Sequence, residues 1–205
     1  MTAGRRLLSG PSPTAAPRLL GSRLVSESAE GRVVVLLTEV EAYAGVGEDP
    51  GSHAHRGRTP RNSTMFGEPG LLYVYFTYGM HWCANVVTGP PGRASAVLLR
   101  AGRIVEGVDL ARHRRASARQ ERDLARGPAR LTVALGLTGS VDGVDLLDPA
   151  SPVRLDIARR AMPVAVRGPR TGVSGAGART PWRFAADDPS VSPYRAATVR
   201  RRSSP

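Results

Sequence analysis

Two carboxylates and a tyrosine alternate in the segment Thr38-Glu39-Val40-Glu41-Ala42-Tyr43. In an extended chain, residues two apart share a face, so Glu39, Glu41 and Tyr43 stand together. A carboxylate at the end of a buried strand works as a general base when partial desolvation raises its basicity and a nearby cation keeps it ionised. Glu41 is therefore the first candidate, although the same alternation also suits the exposed edge of a half-polar strand with no chemistry. His53 and His55 form an H-x-H pair that, with Glu41 and Asp49, has the spacing of a weak metal set. The chain has one cysteine, Cys83, and lacks the H-x-E with P-C-x-x-C pattern of zinc deaminases. Packing or contact with a base suits both histidines better, and no metal is expected.

Aromatic residues are concentrated in the same region. Of the five tyrosines, Tyr43, Tyr73, Tyr75 and Tyr78 precede Trp82, and Tyr73 reads as core. Tyr75 and Tyr78 face opposite ways on a straight strand, and Tyr78 abuts the turn at Gly79, where a tip aromatic can enter a base stack. Asn85 lies in the apolar run Trp82-Cys83-Ala84-Asn85-Val86-Val87, where an unpartnered amide would cost about 1–3 kcal/mol, so it needs a partner from protein or ligand. Residues 172–177 resemble a phosphate nest but lack the Lys-Ser/Thr of a P-loop, which favours a plain turn.

The elements that position these residues can be read from their periodicity. Residues 33–37 are a β-branched apolar run that continues into the alternating segment up to Tyr43, predicting one strand. Residues 44–70 form a long Gly- and Pro-bearing loop, and loops beyond about 12–15 residues in compact domains are usually functional or disordered. Residues 71–78, 82–87 and 96–101 predict an antiparallel meander. Residues 103–126 carry Ile104, Val108 and Ala111 at helical spacing among arginines, predicting a basic surface helix. Pro128 can open a further helix that Gly136 ends. Residues 1–17 and 200–205 read as a flexible lead-in and a basic tail, leaving 18–199 as one domain. The predicted fold class is mixed α/β (α+β): a curved antiparallel sheet with peripheral helices.

With 205 residues, 41% hydrophobic and 22% charged, the chain has ordinary globular composition and can bury a core. No apolar run approaches the roughly 18 residues of a membrane span. The N-terminus lacks the apolar segment of a signal peptide, so a cytoplasmic protein with no membrane partner is expected. All 29 basic side chains are arginines, and with 17 acidic ones the net charge is +12. The excess lies outside residues 31–99, which are neutral, and favours a polyanionic partner such as DNA or RNA. Without lysine, Schiff-base chemistry has only the α-amino group to draw on.

Residues 38–43, His53, the run 56–62, Met65-Phe66, Tyr73-Val74-Tyr75 and the run 78–85 resemble the alkyladenine (3-methyladenine) DNA glycosylase family in order and spacing. Likeness is nearly unbroken over residues 32–101 and weaker elsewhere within 18–185. The resemblance implies an enzyme that flips a damaged purine out of double-stranded DNA and hydrolyses its N-glycosidic bond. By that resemblance Glu41 activates the attacking water, and Arg100 and a backbone carbonyl near Thr171 help to hold it. Tyr43, His53 and Tyr75 would border the flipped base, Asn85 would reject the 2-amino group of guanine, and Tyr78 would fill the gap in the duplex. Arg58, Arg61 and Arg130 would meet the DNA backbone; Arg130 stands where relatives often carry lysine, and it can grip phosphate bidentately. A monomer with no cofactor is expected. The rival reading is a catalytically weak module that senses lesions, which would keep Tyr78 and the arginines without needing Glu41.

Overall fold

The computed structural model describes residues 2–197. Eight strands build one antiparallel sheet: β1 (Arg23–Ser28), β2 (Gly31–Tyr43), β3 (Leu72–Thr77), β4 (His81–Val87), β5 (Ala96–Glu106), β6 (Val153–Asp156), β7 (Val166–Gly168) and β8 (Arg183–Ala185). Their order is β3-β4-β5-β2-β1-β6, and β8 joins β2 and carries β7 on its other side. The mixed α/β architecture is the one predicted. The valines of the 33–37 run make β2 the central strand, with Val33, Val35, Leu37 and Val40 in the main core. Because β2 is thirteen residues long, β1 pairs with its first half and β8 with Glu39–Glu41, while β5 covers the opposite edge.

The ladder between β2 and β5 slips on both sides of Glu39. Such bulges re-aim side chains, and here Glu39 and Glu41 both turn toward Arg100 of β5. Register also lines up Glu41, Leu98, Asn85 and Tyr73 in one row across β2, β5, β4 and β3.

Two expectations change. Residues 2–17 are structured: α1 (Ala3–Leu8) is capped by the Thr2 side chain, and α2 (Ser12–Ala15) follows. Leu8, Ala15 and Ala16 are buried, and Ser12 Oγ donates to the Tyr43 carbonyl. The Pro, Ser and Ala residues of this segment serve short helices and their caps. The family of arginines in 103–126 does not lie on one helix either. β5 runs to Glu106, Gly107 turns with φ +74°, α3 spans only Val108–Arg114, and a single 3-10 turn follows at Glu121–Asp123. Ile104 pairs with Val35 in the sheet, so its spacing to Val108 was a coincidence of strand end and helix start. α4 (Pro128–Leu135) begins at Pro128 and ends at Gly136, φ +68°, as read from the sequence. The tail 200–205 lies outside the described residues.

Candidate active site

Glu41 is fully buried, and its carboxylate has three partners. The Thr171 N–H donates to Oε1 at 2.7 Å, the Tyr43 hydroxyl donates to Oε2 at 2.9 Å, and Arg100 Nη1 donates to Oε2 at 3.4 Å. Burial pushes the Glu41 pKa above the ordinary carboxylate value, and Glu39 adds to this; Arg100, the Thr171 amide and Tyr43 pull it back only partly. A base of raised affinity for protons, still ion-paired, is the environment that proton abstraction requires. Burial, and the neighbouring carboxylate, hold the Tyr43 hydroxyl well above its usual pKa, so it remains a donor.

Glu39 behaves differently. It accepts from Arg100 Nε at 3.0 Å, Arg183 Nε at 2.6 Å and the Ser192 N–H at 2.7 Å. Burial raises its pKa, but Arg100, Ser192 and Arg183 outweigh that and leave it below the ordinary value. Glu39 thus stays ionised and anchors Arg100, whose Nη1 is left for Glu41.

In front of this pair lies a cavity of about 250 Å³ lined by Tyr43, His53, Tyr75, Asn85, Arg100 and Thr171, among others. Glu41 sits behind the wall, in contact with three of its residues. The His53 ring meets Tyr75 edge-on at 4.5 Å, and desolvation with Arg61 nearby pushes its pKa down, leaving a neutral imidazole. The Asn85 amide donates to the Tyr73 carbonyl at 3.1 Å, so the polar residue in the apolar run has its protein partner. Two cavity-lining residues, Tyr73 and Thr171, each keep a buried hydroxyl without a hydrogen-bond partner.

At the cavity rim, Tyr78 and Gly79 take φ +52° and +66° in the β3–β4 turn, with Met80 N–H donating to the Thr77 carbonyl. Positive φ at both central positions is the type I′ hairpin signature, and it is costly for a tyrosine. Tyr78 is the one non-glycine with positive φ among the described residues, and it is 87% exposed.

The structure brings Glu41, Arg100, Thr171, Tyr43, His53, Tyr75, Asn85 and Tyr78 to one place. Thr171 contributes its N–H to the Glu41 carboxylate. Arg58, Arg61 and Arg130 lie outside the cavity wall and are exposed. Arg61 sits over the Tyr75 ring and donates to the Phe76 carbonyl, Arg58 sits over Phe66, and Arg130 projects from α4, whose first residue Pro128 reaches the cavity. His53, His55, Glu41 and Asp49, the weak metal set weighed from spacing, do not come together: both oxygens of Asp49 accept from Arg170, and no group of three His, Cys, Asp or Glu that could hold a metal ion forms among the described residues. Sequence reading missed the roles of Arg183, Ser192 and Arg170. Apolar flanks around Arg183, between Trp182 and Phe184, were the signal that it is buried.

The model of the methylpurine-DNA glycosylase family matches residues 6–190. The chain belongs to that family. It is 56% identical over 201 residues to a Streptomyces avermitilis protein, covering 97% of this chain and 94% of that one. A Leifsonia xyli subsp. xyli protein is 57% identical over 199 residues (94% and 92% covered), and one from Nocardia farcinica 53% over 202 (92% of each). All three are provisionally named 3-methyladenine DNA glycosylase. Membership places the chain among the DNA-binding glycosylases of base excision repair.

Proposed function

We propose that this protein hydrolyses the N-glycosidic bond of alkylated or deaminated purines, of the 3-methyladenine, 7-methylguanine, hypoxanthine and ethenoadenine class, flipped from duplex DNA. The observation that carries this is the ion-paired, proton-avid Glu41 behind an aromatic cavity whose rim bears a strained, exposed tyrosine.

In this reading Tyr78 enters the stack as the damaged nucleotide leaves it. Extrusion costs a few kcal/mol and base–aromatic stacking returns about 1–3 kcal/mol per base, so Tyr43, His53 and Tyr75 roughly offset it. Glu41 accepts a proton from water as the water oxygen bonds to C1′ and the bond from C1′ to the purine nitrogen breaks. Arg100 steadies both water and carboxylate, and the ionised site favours an oxocarbenium-like sugar. A cationic alkylpurine departs as a neutral base, whereas a neutral lesion must take up a proton as it leaves. Asn85, held by Tyr73, excludes the 2-amino group of guanine. Selection then combines weak pairing of the lesion, leaving-group ability and this exclusion. Without lysine the product is an intact abasic site. The enzyme acts as a cytoplasmic monomer on nucleoid DNA with no cofactor.

The test is excision from duplex oligonucleotides carrying one lesion, in EDTA, read with and without hot alkali. Breaks should appear only after alkali. Glu41→Gln should lower the rate by at least the roughly 10²–10⁴-fold attributed to general-base catalysis while retaining lesion binding. Binding without release by the wild type would leave a lesion-sensing module in place of an enzyme.

A further inference from the structure

Arg170 is the largest fully buried side chain among the described residues, yet it lines no part of the cavity. Its guanidinium grips Asp49 with two bonds, Nη1 to Oδ2 at 2.5 Å and Nη2 to Oδ1 at 2.7 Å. Nη1 also donates to the Ala42 carbonyl at 3.0 Å, between Glu41 and Tyr43. The guanidinium carbon lies 4.6 Å from the Tyr43 ring centroid and 5.3 Å from that of Trp182. Asp49 in turn accepts from the Ala44 and Gly51 N–H groups at 3.1 and 3.0 Å, tying down the loop that carries His53.

One ion pair thus joins three pieces: the end of β2, the His53 loop, and the peptide that follows Arg170. That peptide is the Thr171 N–H on Glu41 Oε1. The fit is tight, because a Cβ on Gly51 would lie 2.7 Å from Arg170 Nη2, and one on Gly177 3.2 Å from it. A buried pair of this kind adds little net stability compared with apolar residues of the same volume, so its presence asks for another reason.

We propose that Arg170 and Asp49 are positioning residues for the Glu41 carboxylate, holding the Thr171 amide on Oε1 and bracing Tyr43 from its far side. The inference rests on the reading of Glu41 as the base. Neither residue touches the substrate; they set the excision rate through the placement of groups that do. Glu41 is faced by Arg100 of β5, by Glu39 and Tyr43 of its own strand, by Arg183 opposite it on β8, and by the Thr171 amide and Arg170. Loosening the amide while these charges stay in place removes a contact that favours the ionised carboxylate. The acid limb of the rate profile then moves to higher pH.

The experiment is single-turnover excision of hypoxanthine from duplex DNA across a pH series. It is accompanied by binding to a duplex with an uncleavable abasic analogue and by thermal melting. Asp49→Asn keeps the Arg170 charge and breaks the two-bond grip; Gly51→Ala keeps every charge and displaces both the guanidinium and Val173 of the cavity wall, each 2.7 Å from the added Cβ. A misplacement near 1 Å can cost about 100-fold. The expected result for Asp49→Asn is a loss of that order in the rate constant, less for Gly51→Ala, both with the acid limb displaced upward and binding changed only a few-fold. Arg170→Lys, which retains the cation without the fork, should fall between these and the wild type. Folded variants with wild-type rate and acid limb would overturn the proposal, as would a rate loss that merely follows the fraction of folded protein at every pH. If Asp49→Asn does not fold, Arg170→Lys decides by the same readouts, since Gly51 and Val173 themselves line the cavity. Absence of excision by the wild type is a different failure, since it removes the role of Glu41 and the proposal with it.

Discussion

The floor behind the cavity and the hairpin tip at its rim are built on opposite terms. At the floor, Glu39, Glu41, Arg100 and Arg183 are buried and every carboxylate oxygen has a partner. At the tip, Tyr78 is 87% exposed, Met80 66% and Phe76 43%, and the backbone at Tyr78 is strained. Groups that must stabilise charge in a reaction work best when already oriented, since no reorganisation then accompanies the step. A side chain that must enter a base stack has to stay outside the core until DNA arrives. The contrast separates stability from binding: changes at the floor should cost folding or chemistry, and changes at the tip should cost DNA engagement alone.

The largest effect on that separation is expected from Glu39→Gln. Removing one partner of a buried ion pair costs about 3–5 kcal/mol, and here two arginines lose their carboxylate together. Urea unfolding should show a loss of this size, with the gap closing as the solution is acidified. The sign follows from its lowered pKa: the stabilisation is complete above the ordinary carboxylate value of 4.5 and is lost as pH falls through the lower folded value. Glu41 works in reverse. Its raised pKa opposes folding above that value and the penalty fades on acidification, so Glu41→Gln should cost far less stability than Glu39→Gln while costing more activity. Equal stability losses for the two would dissolve the distinction between an anchoring and a reacting carboxylate.

Next in size is Tyr78→Ala. With little side-chain area buried, its melting temperature should stay at the wild-type value, whereas affinity for lesion duplex should fall by about 1–3 kcal/mol, the worth of one stacked aromatic. Tyr78→Gly sharpens this, because glycine accepts φ +52° without strain. It should be slightly more stable than wild type and bind as poorly as the alanine variant. A loss of stability in both would mean that the tyrosine supports the hairpin and does not serve the DNA.

Much of both regions was legible in the sequence, for physical reasons that differ. Alternation in 38–43 placed Tyr43 beside Glu41 because a strand imposes period two whatever surrounds it, and Gly79 marked the tip because a tight hairpin needs positive φ. The bulge at Glu39 that lets one arginine serve two carboxylates was not legible, since a register slip depends on the partner strand. Nor were Arg170 and Asp49, which lie 121 positions apart and meet only in the folded chain. Arg100 was assigned through family resemblance alone. The helical reading of 103–126 failed because spacing cannot tell a buried strand residue, Ile104, from a helix residue. The lead-in failed because α1 is docked by a few contacts with distant parts of the chain, Leu7 and Leu8 on the core and Arg5 on Asp145 and the Pro69 carbonyl.

The smallest effect separates the exposed arginines from one another. Arg130 projects from α4 into solvent. Arg61 donates to the Phe76 carbonyl at 2.9 Å and lies 5.4 Å from the Tyr75 ring, so it is tied to the tip and to the cavity wall. If Arg130 meets one phosphate, Arg130→Ala should weaken binding to damaged and undamaged duplex alike and reduce the log–log salt slope by about 0.9. Arg61→Ala should lower the salt slope by a similar amount and in addition lower the preference for lesion duplex, because Tyr75 and the β3–β4 tip lose a contact. Titrations of both variants on matched lesion and undamaged duplexes at several salt concentrations measure slope and preference together. Identical behaviour of the two would make Arg61 another surface charge, and would confine lesion recognition to residues within the cavity.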